Sequence, residues 1–284
     1  MIERGQTLDE QQLRGWIGRK QTASDVVTAD LARKFAATFD REQSSEHGAG
    51  VAQLLHFCLA QPVVGTSFLG GDGHPPRGGF LPPVPLPRRM WAGGRLSFAG
   101  DLRIGDEIER ISRIADISVK NGRSGQLCFV AVDHAIEVDG KQVISERQDI
   151  VYRDAVSTAT KQALPALAPT GTLTRKADAS ETLLFRYSAL TFNGHRIHYD
   201  RPYATGTEGY PGLVVQGPLQ ASWLLHFAAD LHGKSPSHFS FRSLSPLYAG
   251  QALQLHASEM EGGLKLWTAV EGGPVAMSGE AKWA

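Results

Sequence analysis

The stretch "PLQASWLLHFAADL", residues 218–231, decides the fold. Apolar residues recur along it at helical spacing, which predicts an apolar helix. Four segments follow in which apolar and polar residues alternate, with glycine-containing turns between them: SHFSFRSLSP, QALQLHASEMEG, LKLWTAVEG and GPVAMSGEAKWA. Such alternation is typical of antiparallel strands. The second half of the chain is therefore predicted to wrap an antiparallel sheet around one helix.

The first half of the chain shows the same order of elements. "VAQLLHFCLA" at 51–60 is again apolar at helical spacing, and the letters LLHF occur in both predicted helices, at 54–57 and 224–227. Four alternating segments follow it: GRLSFAG, DEIERISRIADISVK, GQLCFVAVDHAIEVDG and KQVISERQDIVYRD. "DLRIGDEIE" at 101–109 also parallels "PLYAGQALQ" at 246–254. The pattern predicts two copies of one unit.

Two such units define the fold class. We predict an α+β double hotdog, in which two antiparallel sheets are each wrapped around a central helix. Residues 155–170, "AVSTATKQALPALAPT", are small and proline-bearing, which favours a linker. The predicted domains are an N-terminal hotdog-like domain over 1–154 and a C-terminal hotdog domain over 171–284.

Composition argues against several classes of protein. The 29 basic and 29 acidic residues cancel, so overall charge favours neither nucleic acid nor a membrane surface as a partner. No apolar run approaches the roughly 20 residues of a membrane span, and the first twenty residues lack the apolar core of a signal peptide. Cys58 and Cys128 lie in apolar runs without metal or redox spacing. We therefore expect a cytoplasmic protein with reduced cysteines.

Only the first copy has a long insertion, at 65–94. It holds eight glycines and six prolines in thirty residues, which predicts neither a helix nor an inner strand. Its last part carries Arg88, Arg89 and Trp91, which either grip a phosphorylated ligand or belong to a segment that covers a sheet edge or the second domain. The "GGDGHPPRGG" within it lacks the lysine and the strand–helix context of a phosphate loop, and is assigned no function.

Only the second copy has a histidine-rich segment before its helix. "YSALTFNGHRIHYDRPYA", followed by "EGYPGLVVQGPLQA", resembles the signature of MaoC-like and (R)-specific enoyl-CoA hydratases, in which D-x-N-P-x-H precedes the central helix. The matching positions are Asn193 for the aspartate, His195 for the asparagine, Arg196 for the proline, His198 for the histidine and Gly217 for the helix-start glycine. "DGHPPRGGFLPPVPLPRRMWAGG" and "QDIVYRD" resemble the N-terminal domain of one subgroup, the mesaconyl-C4-CoA and itaconyl-CoA hydratases.

The resemblance implies a hydro-lyase, and the chemistry of the residues agrees. His198 is the predicted base for water, because an unperturbed imidazole has a pKa of about 6.5. The backbone N–H of Gly217, at a helix start, suits the enolate oxygen of a reacting thioester. Asn193 accepts no proton, so it is assigned to orienting the water or the thioester carbonyl. His195 either assists or braces its loop, and Arg196 pairs either with a substrate carboxylate or with Asp200.

The resemblance also implies a substrate, a C5 unsaturated dicarboxylyl-CoA (itaconyl-CoA or mesaconyl-C4-CoA) that gives citramalyl-CoA. A straight-chain (R)-specific enoyl-CoA hydratase or 3-hydroxyacyl thioester dehydratase, a hotdog thioesterase and a non-catalytic binding module are the alternatives. We expect no cofactor beyond the CoA of the substrate, and no metal, since "HRIH" has no clear third ligand nearby. We expect an acyl-CoA thioester as the partner, and neither nucleic acid nor a membrane. We leave open whether the protein forms a homodimer.

Overall fold

All strands of the protein join one continuous antiparallel sheet. The computed structural model describes residues 8–122, 125–154 and 166–284. In the first half, helices α1 (Glu10–Arg14) and α2 (Ala29–Thr38) accompany strands β1 (Lys20–Val26), β2 (Arg88–Phe98), β3 (Glu107–Gly122), β4 (Gly125–Val138) and β5 (Lys141–Arg153). In the second half, helices α3 (Glu181–Leu190) and α4 (Gly217–His232) accompany strands β6 (Leu173–Asp178), β7 (His238–Ser243), β8 (Ala252–Met260), β9 (Gly263–Val270) and β10 (Val275–Lys282).

The sheet order makes the internal repeat explicit. It runs β1-β3-β4-β5-β2-β7-β10-β9-β8-β6. Outward from the centre, the first half has the order β2, β5, β4, β3, β1, and the second half has the equivalent order β7, β10, β9, β8, β6. The predicted double hotdog is confirmed, but the two predicted sheets are joined edge to edge where β2 pairs with β7. This pairing removes two exposed sheet edges, which would otherwise present unpaired backbone groups.

Matching backbone turns support the repeat. Gly105 has a φ of 101° and donates its N–H to the carbonyl of Val27, directly after β1. Gly250 has a φ of 79° and donates to the carbonyl of Ala179, directly after β6. The similarity between 101–109 and 246–254 therefore marks equivalent positions.

Within the residues that the structure describes, a central helix forms in the second half and not in the first. Helix α4 has 16 residues and ends at Gly233, whose φ of 75° is typical of a helix C-cap. The predicted helix over 51–60 is wrong, because only one 3₁₀ turn, Leu55–Cys58, forms there. Leu54 before the turn has a φ of 70°, and a left-handed residue cannot belong to a right-handed helix. Residues 54–60 are instead all buried, and His56 contacts the carboxylate of Glu146 inside the first half.

The LLHF match is a coincidence of letters. Val51 donates its N–H to Leu102, and Val215 donates in the same way to Leu247. Because these two bonds are equivalent, Val51 occupies the position in the first half that Val215 occupies in the second. The LLHF match would instead make Val51 equivalent to Ala221.

The end of the insertion also departs from the prediction. Residues 88–94 belong to β2, an inner strand between β5 and β7, so the expectation that no inner strand forms is wrong there. All six prolines of the insertion precede residue 88. No proline therefore interrupts the part of β2 that pairs with β7. Gly93 lies against β7 so closely that a Cβ would come within 2.6 Å of the Phe241 carbonyl oxygen.

The structure describes the last part of the predicted linker and both cysteines. Residues 155–165 of the predicted linker lie outside the described residues. Within 166–170, Pro169 accepts a hydrogen bond from the indole of Trp267, so this part lies against the second half. Cys58 and Cys128 are free and buried, and burial raises their pKa to about 12 and about 11. Among the described helices, none has the combined length and apolarity needed to cross a membrane.

Candidate active site

The histidine-rich segment forms two tight turns after α3. The backbone N–H of Asn193 bonds to the carbonyl of Ser188, and the Asn193 side-chain oxygen accepts the N–H of His195 at 3.0 Å. A 3₁₀ turn, Arg196–His198, follows directly. Asparagine favours such turns because its side chain bonds to the backbone two residues on. This folding leaves the Asn193 side-chain NH₂ group as the donor that the predicted orienting role requires.

His198 is a buried imidazole with a defined tautomer. Its Nδ1 atom lies 2.7 Å from the carbonyl oxygen of Val214. A carbonyl only accepts, so Nδ1 carries the proton and Nε2 keeps a lone pair. Burial lowers the pKa of His198 to about 4, although the Val214 hydrogen bond opposes the shift. The ring is therefore neutral near pH 7 and presents Nε2 as a proton acceptor.

Helix α4 begins at Gly217, close in sequence to the residue that holds His198. Gln216, the N-cap, does not cap the helix with its side chain. Its amide nitrogen instead bonds to the Leu184 carbonyl and the Ser188 hydroxyl, both at 2.9 Å. The first N–H groups of a helix have no partner within the helix and carry the positive end of its dipole. The start of α4 therefore offers N–H groups and a positive dipole end to a developing negative charge.

His195 lies between two other imidazoles. Its ring centroid is 5.3 Å from that of His198, nearly perpendicular, and 4.2 Å from that of His74. Burial, with the nearby charges of His74 and His198, lowers the pKa of His195 to about 2. His195 is therefore a neutral side chain that bridges two parts of the site.

Asp72 and His74 were missed by the sequence analysis. His74 Nδ1 lies 3.0 Å from one carboxylate oxygen of Asp72, and its backbone N–H donates to the other, also at 3.0 Å. Burial opposes ionisation of Asp72, but its bonds to His74 outweigh burial and keep the pKa of the carboxyl low. Burial also lowers the pKa of His74, and the bond to Asp72 offsets part of that shift. The sequence signal that could have identified this pair was an aspartate and a histidine two residues apart in a glycine-rich loop.

The insertion docks on the histidine-rich segment through two glycines. A Cβ on Gly73 would overlap the carbonyl oxygen of Gly194, and a Cβ on Gly194 would in turn meet the carbonyl oxygen of Gly73. The Arg196 N–H donates to the Asp72 carbonyl at 3.0 Å, and its guanidinium donates to the Gly71 carbonyl at 2.9 Å. Of the two interpretations of the insertion, contact with the second half is the one the structure contains.

Arg196 is engaged within the protein. Its Nε donates to Asp200 at 2.9 Å, its NH2 group lies 2.8 Å from the same carboxylate, and the guanidinium stacks over Tyr203. The structure therefore contains the second of the two predicted alternatives, pairing with Asp200.

Arg88 and Trp91 also have partners within the protein. Arg88 Nε lies 3.2 Å from the Glu208 carboxylate, and its guanidinium stacks over Tyr210. The Trp91 indole donates to the Gly93 carbonyl at 2.7 Å, and its ring packs between aromatic rings of the two halves, Phe57 and Phe241.

Arg89 differs from these two. It is half-buried and forms no ion pair with any residue of the described ranges. Its positive charge contributes to the lowered pKa of both His74 and His195, so it acts on the histidine cluster. Among Arg88, Arg89 and Arg196, Arg89 is thus the arginine without an ion pair in the described residues.

One group of side chains has the composition of a metal site. Asp72, His74 and His195 each offer a ligand atom, and these atoms lie within 4.8 Å of one another. Each oxygen of Asp72 accepts one hydrogen bond from His74. The predicted HRIH pair is not this group, since His198 lies outside it.

Comparison with known proteins agrees with this geometry. The family model for hydroxyacyl-thioester dehydratase type 2, Htd2, matches residues 52–249. Over 237 residues the chain is 44% identical to mesaconyl-C(4)-CoA hydratase of Chloroflexus aurantiacus, covering 82% of this chain and 84% of the relative.

Solved structures share the fold. A MaoC-like dehydratase from Phytophthora capsici superposes with a TM-score of 0.68 at 16% identity, covering 98% of this chain and 99% of that one. A Mycobacterium tuberculosis protein with a double hotdog fold superposes with a TM-score of 0.59 at 12% identity, covering 93% and 95%. The fold, the neutral His198 held by the segment that leads into α4, and the family match lead to one conclusion: the chain belongs to the hydroxyacyl-thioester dehydratase type 2 family and is a hydro-lyase of the MaoC-like hotdog type.

Proposed function

We propose that the protein hydrates the double bond of an unsaturated C5 dicarboxylyl-CoA, with mesaconyl-C4-CoA as the substrate and citramalyl-CoA as the product. The observation that carries the proposal is the position of His198, whose free Nε2 belongs to a ring held by the segment that leads into α4. A base for water and a donor for the enolate oxygen are the two groups this addition needs.

The proposed reaction uses each residue once. His198 Nε2 takes a proton from water as the oxygen bonds to the β-carbon of the substrate. The electron pair of the double bond moves onto the thioester, whose oxygen becomes an enolate at the start of α4 beside Gly217. The Asn193 NH₂ group, left free by the turn that uses its oxygen, orients the water or the thioester carbonyl.

The second carboxylate of the substrate requires a cation. Burying a carboxylate without a partner is costly, and an arginine can hold both of its oxygens. Arg196 and Arg88 already bind Asp200 and Glu208, which leaves Arg89 beside the histidines. We assign the free carboxylate of the substrate to Arg89. The relative from Chloroflexus, named for mesaconyl-C(4)-CoA, supports the same substrate class.

Itaconyl-CoA is a second substrate of the same class. Its double bond is β,γ to the thioester, so direct hydration gains nothing from the enolate-binding groups. Removal of an α-proton would shift the bond into conjugation through the same enolate. Detection of mesaconyl-C4-CoA during itaconyl-CoA turnover would support this route, and turnover with no exchange of the α-proton would contradict it.

We further propose one active site per chain. The second half, 171–284, supplies the hydratase signature and α4, while the first half, 1–154, supplies the insertion that closes the site. We found no D/N-x-x-x-x-H pattern before the 3₁₀ turn of the first half. Titration of active sites should give one per chain, and two equivalent sites would contradict the assignment.

Parallel assays with mesaconyl-C4-CoA, itaconyl-CoA and crotonyl-CoA test the function. Loss of enoyl absorbance measures hydration, and release of free thiol measures thioester hydrolysis. The proposal predicts the highest kcat/KM for mesaconyl-C4-CoA and no thiol release. A preference for crotonyl-CoA would indicate a straight-chain hydratase, thiol release would indicate a thioesterase, and binding without turnover would indicate a non-catalytic module.

A further inference from the structure

The hydratase signature of this chain lacks one titratable group. Asn193 occupies the position where the resembling hydratases carry an aspartate, and an amide does not exchange protons in acid/base catalysis. Its side-chain oxygen is also used by the His195 N–H. His198 therefore remains the one titratable group at the matched acid and base positions of the signature, although hydration moves a proton at two places, the water and the α-carbon.

We infer that the Asp72–His74 pair of the first half replaces the missing aspartate and donates the proton that the α-carbon receives. The inference rests on the proposed hydration reaction. His74 is then a catalytic residue, and Asp72 is its positioning residue.

The pair has the build of an acid/base group. Asp72 accepts the Nδ1 proton of His74, so the carboxylate fixes the ring and stabilises its protonated form. This is the relationship that orients the imidazole of a general base in many enzymes. His195 has no carboxylate partner of this kind, and its pKa of about 2 keeps it unprotonated. Burial and the charge of Arg89 lower the pKa of His74, and the bond to Asp72 offsets part of that shift. Of the three clustered imidazoles, His74 is the one with a carboxylate partner that favours its protonated form.

The position of the pair is fixed by contacts across the two halves. The contact between Gly73 and Gly194 and the bond from Arg196 to the Asp72 carbonyl join the loop to the signature itself. Ring centroids then follow one another at 4.2 Å from His74 to His195 and at 5.3 Å from His195 to His198. The backbones of Gly73 and Gly194 are so close that neither position has room for a Cβ atom. A loop that only covered a surface would not need such a close contact.

The proton balance closes with these groups. One O–H bond of water breaks, the C–O bond forms at the β-carbon, and His198 Nε2 gains the proton. The enolate then collapses, and its α-carbon forms a C–H bond with the proton from His74 Nε2. His198 has gained one proton and His74 has lost one. Exchange with solvent restores both.

Four variants test the inference with whichever of the three thioesters the wild type hydrates. His74→Gln removes the titratable group, His74→Ala allows rescue, Asp72→Asn removes the charge, and His238→Gln is the control, since His238 is exposed on β7. We expect His74→Gln to lower kcat by about 10²–10⁴-fold, the range for a positioned acid or base. KM should change little, because the group acts in the transition state. Added imidazole should restore part of the His74→Ala activity.

The pH profile provides a readout that a structural role would not move. Two groups in opposite protonation states predict a bell-shaped kcat profile for the wild type. Because burial lowers the pKa of His74, the alkaline limb of the wild type should lie below the unperturbed imidazole pKa of about 6.5. His74→Gln should lose this limb, and Asp72→Asn should move it to lower pH. Urea unfolding of each variant should match the wild type, which shows that the fold is intact.

Several results would overturn the inference. These are a His74→Gln variant with near-normal kcat, or a loss of activity that lies wholly in KM with an unchanged pH profile and no imidazole rescue. Stoichiometric Zn²⁺ binding with an activity that chelation abolishes would make Asp72, His74 and His195 a metal site instead. If the wild type hydrates none of the three thioesters, the proposed function fails together with the inference; if it does and His74→Gln is normal, only the inference fails.

Discussion

The ring of His198 is fixed to the carbonyl of Val214, 2.7 Å from Nδ1 to oxygen. Val214 lies two residues before Gln216, the N-cap of α4, and its own N–H bonds back to Ile197 at 2.9 Å. The proposed base and the helix start that receives the enolate are therefore held by one short segment. A displacement of that segment would move both groups together.

The first prediction concerns the base. His198→Ala should lower kcat by about two to four orders of magnitude, because a positioned acid/base group contributes that much. Steady-state hydration kinetics measure the effect, with His238→Gln as the control. Near-normal turnover of His198→Ala would remove His198 from the mechanism.

The second prediction concerns the contact between the halves. Gly194→Ala places a methyl group against the Gly73 carbonyl and should displace the Asp72–His74 loop. We expect kcat/KM to fall by about tenfold to hundredfold, because small displacements of catalytic groups are costly. Gly71→Ala is the matched control, since a Cβ there meets no atom within 4 Å. Equal effects of the two substitutions would show that the contact does not position the site.

The third prediction concerns the substrate carboxylate. Arg89→Ala should lower kcat/KM for mesaconyl-C4-CoA by about tenfold to hundredfold, the value of a charge-assisted hydrogen bond. Crotonyl-CoA, which has no second carboxylate, should be affected much less. Arg196→Ala and Arg88→Ala should affect both substrates alike, because these arginines bind Asp200 and Glu208. Loss of both substrates to the same extent in Arg89→Ala would argue against the assignment.

The fourth prediction concerns stability and pH. Asp230 on α4 binds Arg41 of the first half through both oxygens, at 2.7 and 3.0 Å, and also Arg175. These bonds, that to Arg41 above all, lower the pKa of Asp230 to about 2. A depressed pKa stabilises the fold above the unfolded pKa, near 4, and this contribution is lost as pH falls towards 2.

Asp230→Asn should therefore lower the free energy of unfolding by about 1–2 kcal/mol at pH 6, since solvent screens part of the interaction. Urea unfolding of both proteins between pH 6 and pH 2.5 measures the difference, which should shrink as the pH falls. A difference that stays constant over this range would show that the charge of Asp230 does not stabilise the fold.

Strands with one buried face could be predicted from the sequence, and strands without one could not. Every predicted strand segment corresponds to one of β2–β5 or β7–β10. The edge strands β1 and β6 were missed because their side chains are almost uniformly exposed, so no alternation of apolar and polar residues marks them. The helix over 51–60 failed for the opposite reason. Its apolar pattern was present, but the left-handed Leu54 and Pro62 after it restrict the segment to a short turn.

The active site divides in the same way. The signature residues Asn193, His195 and His198 are close in sequence, so their pattern could be recognised. Asp72 and His74 join them only through contacts such as that of Arg196 with Gly71, which spans 125 residues of sequence. Nothing local to "GGDGHPPRGG" indicates where it docks, so its role became apparent only in three dimensions.

The pairing of β2 with β7 has an evolutionary consequence. Two copies of one unit that share a sheet within a single chain are inherited together, so selection no longer requires each copy to work alone. The first copy could then lose its helix without losing the fold, since the second copy retains α4. Its insertion, which packs Val84 and Leu86 into the core of the first half, could then also contact the second half. We expect this asymmetry between the halves when one copy of a duplicated domain specialises in supporting the other.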